Sequence, residues 1–201
     1  MATIGLSKPY VATYALDDGD IVYSGGRLIG KAVNLDLSLE SGSDNILYGD
    51  NGPAEVDNQF AGGTLTLQTT ELDAEAISQI LGAPEVELTI AGLETSDASE
   101  LVFGDSQATP YVGFGAIAKR MINGVIKWVG IVYPKIKFAN ISESIETQGE
   151  TISWQVPEIA ATVMRDDSAN HVWKRMSSYL DTEDDALLYI QSILGDGSGS
   201  E

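Results

Sequence analysis

The side chains that could do chemistry in this 201-residue chain are few and scattered. It has one histidine, His171, beside Val172 and Trp173, and no cysteine. A serine–histidine–acid relay or a second imidazole for a metal has no partner near His171 in sequence, so a packed or surface histidine is the expected reading. Cysteine nucleophiles, thiolate metal sites and disulfides are excluded by composition. Carboxylates abound, but paired-acid glycoside chemistry needs two of them held about 5–10 Å apart in a cleft, and here they cluster in turns. Asp17-Asp18-Gly19-Asp20 and the stretch from Asp44-Asn45 to Asp50-Asn51-Gly52 offer the oxygen ligands that calcium prefers. Neither follows the alternating-acid calcium loop with its terminal Glu, and turn formation accounts for both. Gly25-Gly26-Arg27-Leu28-Ile29-Gly30 lacks the Lys-Ser/Thr pair and the following helix of a phosphate loop. No catalytic, cofactor or metal residue is expected, and the chain does not read as an enzyme.

The elements that would position any site read mostly as strands. Residues 10–15 and 21–24 flank the Asp17-Asp18-Gly19 turn and predict a hairpin. Val33, Leu35, Leu37 and Leu39 alternate with Asn34, Asp36, Ser38 and Glu40, which predicts a half-buried strand with one wet face. Gly62-Gly63 opens another strand, with Leu65 and Leu67 on one side, and permits a bend or a close backbone approach there. Asn123-Gly124 sits between two strand-like runs and predicts a tight hairpin, and Pro134 predicts a bulge or an edge in its second arm. Residues 86–90, 151–156 and 159–164 are further strand candidates. Two short helices complete the reading. One is capped by Asp73, stapled by Leu72 on Ile77 and ended at Gly82; the other is capped by Thr182 and buries Ala186, Leu187, Ile190, Ile193 and Leu194 before Gly195. The expected fold is mainly β, a sandwich or barrel with two short helices. It would form one domain over residues 1–194, with a long loop or arm at about 41–63 and a disordered tail at 195–201.

Charge is the most extreme global property. Thirty acidic against eleven basic residues give a formal −19, with 43% hydrophobic residues to supply a core. Such a chain repels nucleic acid and anionic lipid instead of binding them. No basic stretch followed by an apolar run opens the sequence, and no stretch approaches the ~20 apolar residues of a spanning helix. The expected location after synthesis is therefore the cytoplasm.

Several stretches together resemble the major tail-tube proteins of long, non-contractile phage tails, in the type found in phages of Gram-positive hosts. They are Ile4-Gly5-Leu6-Ser7-Lys8-Pro9-Tyr10, the turn at residues 23–33, and Asp44-Asn45-Ile46-Leu47-Tyr48-Gly49-Asp50-Asn51-Gly52-Pro53-Ala54-Glu55. After these come Gly62-Gly63-Thr64-Leu65-Thr66-Leu67, the capped helix ending at Leu81-Gly82, a hairpin over residues 113–135 and Ile152-Ser153-Trp154. The similarity runs from about residue 4 to residue 194. It implies a β-sandwich or barrel subunit with a flanking helix, six of which form a ring, with rings stacked into a virion tail tube assembled in the host cytoplasm. Its partners would be further copies of itself and the tape-measure and tail-end proteins. DNA would slide through the lumen unbound, and no cofactor or membrane would take part. Asn45, Ile46, Leu47, Tyr48, Asp50, Asn58 and Phe60 in the 41–63 arm are the candidate subunit-contact residues, because they mix hydrogen-bonding and apolar side chains. Two alternatives stay open: the tube of a contractile tail or secretion-like device, and an acidic, calcium-dependent surface or adhesion module.

Overall fold

The computed structural model describes residues 2–41, 45–49, 52–57, 60–92, 95, 98–105, 107–141, 147 and 156–195, with the backbone alone for 41, 45–49 and 52–57. The fold is mainly β. One large antiparallel sheet runs in the order β2 (Asp20–Leu28), β1 (Ala2–Asp17), β9 (Val112–Ile122), β10 (Val125–Phe138), β11 (Glu158–Met164), β6 (Phe60–Thr69) and β3 (Ala32–Ser41). A short strand, β12 (Arg175–Met176), pairs with β10 beside β11. Two small ribbons stand apart: β4 (Asn45–Gly49) with β5 (Gly52–Asp57), and β7 (Glu85–Glu87) with β8 (Ser99–Leu101).

Local chemistry fixes the turns. Asp18 and Gly19 take φ of 49° and 92°, Asn123 and Gly124 take 49° and 81°, and each pair closes a two-residue hairpin with the right-handed twist its strands need. Pro134 has no N–H for the ladder, and the β9–β10 register slips between Tyr133 and Ile136 as the sequence predicts. The 41–63 stretch departs from expectation. It is not a loop throughout, because β3 runs on to Ser41, β6 begins at Phe60 and β4 pairs with β5 between them. Gly62-Gly63 lies inside β6 and does not open it. A Cβ at Gly63 would stand 3.0 Å from the Ser38 carbonyl oxygen, so the pair permits close strand approach. The predicted strand at 86–90 shrinks to β7, and of the one at 151–156 only Val156, outside any strand, is described.

The sheet is packed on both faces. On the inner face Val11, Leu65, Leu67, Val112, Phe114, Ala116, Tyr133, Ile136, Phe138, Ile159, Ala161 and Val163 form the main core. Helix α1 (Ala74–Leu81) closes it with Ala76, Ile80 and Leu81. Asp73 caps this helix by accepting from the Ala76 N–H at 2.7 Å, and Gly82 ends it in the left-handed conformation. Leu72 and Ile77 both pack against the same core.

On the outer face, α2 (Glu183–Leu194) lays Ala186, Ile190 and Leu194 against Tyr10, Ala12, Ile117 and Val132. Thr182 caps it, accepting from the Asp185 N–H at 3.1 Å. Glycines under the helix make the seat: a Cβ on Gly115 would lie 2.5 Å from Ile190 Cγ2, and one on Gly130 would lie 2.7 Å from Tyr189 Cδ1. Tyr10 and Tyr23 reach across this end of the sheet, donating to the Gly195 and Pro134 carbonyls at 2.7 and 2.9 Å.

Candidate assembly surfaces

The outer edges of the sheet are β2 and β3, and neither has a further strand beside it among the described residues. Both display apolar side chains to solvent, Val22 and Leu28 on β2 and Val33 and Leu39 on β3. An unpaired strand that also exposes apolar side chains is a template for pairing with another chain. The sheet curls far enough to bring the first residues of β1 alongside β3, although no ladder joins the two. The gap between them is an open cleft of about 400 Å³, lined by Ile4, Leu6, Val33, Leu35, Leu37 and Arg120 among others.

The arm residues singled out from sequence fall unevenly. Asn45, Ile46, Leu47 and Tyr48 lie on β4, facing Asp57, Val56, Glu55 and Pro53 across the ribbon, with a register slip before Tyr48. Asp50 and Asn58 lie outside the described residues. Phe60 is engaged within its own chain. Its ring stacks on Trp173 with centroids 4.5 Å apart and planes 4° from parallel, and the Arg165 guanidinium stands 6.0 Å from it while donating to the Phe60 carbonyl. Nothing in the local sequence joins Phe60 to Trp173, because the pairing depends on the chain returning after β11.

Outside these surfaces, the polar clusters are built for support. Asp166 is buried, and its Oδ1 accepts from the Ser168 N–H at 3.2 Å, the Ser168 hydroxyl at 2.6 Å and the Val172 N–H at 2.8 Å. That carboxylate organises the 166–172 loop on which His171 sits exposed, with a left-handed φ of 49° and its N–H donating to the Ser168 carbonyl. Next to it, Asp167 accepts from the Tyr14 hydroxyl at 2.6 Å and from Lys135 at 2.5 Å. Lys135 also stands 4.8 Å from the Tyr111 ring centre, a cation held over an aromatic face. The Lys135 and Tyr14 bonds hold the Asp167 carboxyl below its usual range. Burial first, then the bond to Asp167, pushes the Tyr14 hydroxyl up to about 12. These groups tie β1 and β10 to the loop.

Four of the eleven basic residues form ion pairs among the described residues. Lys8 pairs with Asp184, Arg27 with Asp73 and Glu75, Lys127 with Asp181 and Lys135 with Asp167. Sequence reasoning missed the cleft altogether. Its only advance signal is the stripe Val33, Leu35, Leu37 and Leu39, which reads the same whether the strand is covered by its own sheet or by a partner.

Among the described residues, no three histidine or acidic side chains converge in a way that would hold a metal ion. Nor is any helix among them long and apolar enough to cross a membrane. No protein-family model matches the chain, and no curated protein matches it either.

Proposed function

We propose that this chain is a self-assembling structural protein, the tube subunit of a long, non-contractile phage tail, whose copies form rings that stack around a channel for DNA. The observation that carries the reading is the pair of apolar sheet edges, β2 and β3, which have no further strand beside them among the described residues, on an otherwise well-packed sheet. An isolated subunit leaves both edges as a liability, and neighbouring copies would cover them. The resemblance of residues 4–194 to the tail-tube family adds ring symmetry to this, with six copies in each ring.

Charge supports the channel role. Six copies would carry six times −19, a formal −114, distributed over lumen and exterior. Acidic walls repel phosphate, so a DNA molecule passing within about 10 Å, the screening length at 0.1 M salt, would not lodge at successive rings. The packed faces of the sheet give each subunit the stiffness that a stacked tube needs.

The direct test is negative-stain electron microscopy of the purified protein over a concentration series, alongside sedimentation velocity. Rings or hollow tubes of one diameter are expected. A strict monomer at every concentration, still unassembled when mixed with tail partners, would sink the proposal and make calcium titration the next experiment.

A further inference from the structure

The β9–β10 hairpin ends in Asn123-Gly124, whose φ angles of 49° and 81° close a two-residue turn between Ile122 and Val125. In a turn of this kind the closing bond is donated by the residue after the glycine, so the Gly124 N–H stands outside the ladder. Space is open at the tip. A Cβ on Gly124 would meet no heavy atom within 4 Å, and Asn123, Gly124, Val125 and Ile126 are all exposed. No hydrogen bond holds the Asn123 amide among the described residues.

Such a tip opens at small cost, because little is packed against it. The first buried residues on the two arms are Ala118 and Val129, each four residues back from the pair that closes the turn. The other asparagines with described side chains are placed differently. Asn34 lies inside β3, with its amide donating to Asp36 at 2.5 Å. Asn34, Asn140 and Asn170 are followed by Leu35, Ile141 and His171, whose side chains crowd the backbone nitrogen next to the amide. Asn123 alone among them has glycine there.

We infer that Asn123 is a site of spontaneous modification, at which the chain's own backbone converts the side-chain amide to a carboxylate. When the tip opens, rotation about the Asn123 Cα–C bond brings the Gly124 nitrogen onto Cγ. That nitrogen loses its proton and bonds to Cγ, the Cγ–Nδ2 bond breaks, and Nδ2 departs with the proton as ammonia. The product is a five-membered cyclic imide, which water then opens at one of its two carbonyls. Opening at Cγ restores the ordinary peptide, with aspartate at position 123. Opening at the backbone carbonyl leaves the chain running through Cγ, one backbone carbon longer. The fold treats the two products differently. Aspartate fits, because Asp18-Gly19 already closes the β1–β2 hairpin with the same φ of 49° at its first residue. The longer link does not, because a two-residue turn matches its strands only at its own length.

Incubating the full-length folded protein at mildly alkaline pH and digesting timed samples with trypsin, beside a zero-time control, tests this. Cleavage after Arg120 and Lys127 releases the peptide 121–127, in which Asn123 is the only asparagine. Mass spectrometry should show it gaining about 1 Da and splitting into two chromatographic forms, one of which accepts a methyl group from an isoaspartyl methyltransferase. Its conversion should be at least about tenfold faster than that of peptides 138–165 and 166–174, which hold Asn140 and Asn170. Asn123→Gly keeps a residue suited to the turn and should leave the mass of 121–127 unchanged. Asn123→Asp should melt within about 2 °C of wild type. A 121–127 peptide that keeps its mass while the chain stays folded would overturn the inference, whether or not the denatured chain converts. Conversion no faster than at Asn140 and Asn170 would overturn it too, and a clearly lowered melting temperature in Asn123→Asp would overturn the claim that the fold accepts the aspartate product.

Discussion

Helix α2 sits close to β9 because the strand meets it with glycine at 113 and 115, and Gly115 is the position at which that idea is most sharply tested. A Cβ there would lie 2.5 Å from Ile190 Cγ2, 3.3 Å from Cγ1 and 3.4 Å from Cδ1. Ordinary carbon contacts fall near 3.5–4.0 Å, so Gly115→Ala forces either Ile190 or the whole helix outward by about 1 Å. Overpacking of this kind costs about 1–3 kcal/mol. Replacing glycine within a strand returns about 0.5–1 kcal/mol of chain entropy, so the net loss should be about 1–2 kcal/mol. For a chain of this size that lowers the melting temperature by roughly 2–8 °C. Ile190→Ala alone, at a fully buried site, should cost about 2–5 kcal/mol by leaving a cavity. In the double variant the new methyl occupies part of that cavity. The combined loss should then fall short of the sum of the single losses by about 1–2 kcal/mol. Urea unfolding of all four proteins, followed by circular dichroism and tryptophan fluorescence, measures the cycle. A Gly115→Ala protein as stable as wild type, or single losses that add within about 0.5 kcal/mol, would refute the close-packed seat.

Other features make separate predictions. Asp166→Ala strands the Ser168 and Val172 N–H donors and should cost about 3 kcal/mol, while Asp166→Asn keeps one acceptor and should cost about 1 kcal/mol; equal losses in chemical denaturation would contradict the role of its Oδ1. Phe60→Ala should lower the stability of the lone subunit by about 1.5–3 kcal/mol, because the ring is stacked on Trp173; an unchanged melting temperature would return Phe60 to the list of purely intersubunit candidates. Tyr14 and Tyr133 have hydroxyls raised to about 12, chiefly by burial. Groups raised in the folded state contribute stability that is fully present below the ordinary tyrosine pKa of about 10 and is lost as pH rises towards 12, so alkaline unfolding should be steep in that window and shallower in Tyr14→Phe. Asp167 works in the opposite direction: its depressed carboxyl contributes above the ordinary aspartate pKa and loses that contribution as pH falls through its own lower value. The stability gap between wild type and Asp167→Asn should therefore close in acid, and a gap that is independent of pH would contradict the Lys135 and Tyr14 pairing.

What the sequence decided is local. Asp18-Gly19 and Asn123-Gly124 dictated their hairpins because few other residue pairs take two consecutive positive φ angles. Asp73 and Thr182 started the helices, since a side-chain oxygen at that point satisfies a backbone N–H that the helix cannot. The alternation at residues 33–39 located β3, and Pro134 located the bulge. Tertiary structure decided everything that depends on distant residues meeting. That Phe60 belongs to Trp173, that Gly115 lies under Ile190, and that β1 approaches β3 without pairing to it all follow from how the strands are ordered in space. The physical reason is that periodicity tells which face of a strand is apolar but not what covers it. Val33 and Leu39 read in sequence like core residues, and only the folded sheet shows them half-exposed at an edge. The cleft beside them joins residues 3–6, 33–35, 37, 118, 120, 131 and 133, a set that no spacing along the chain could have announced.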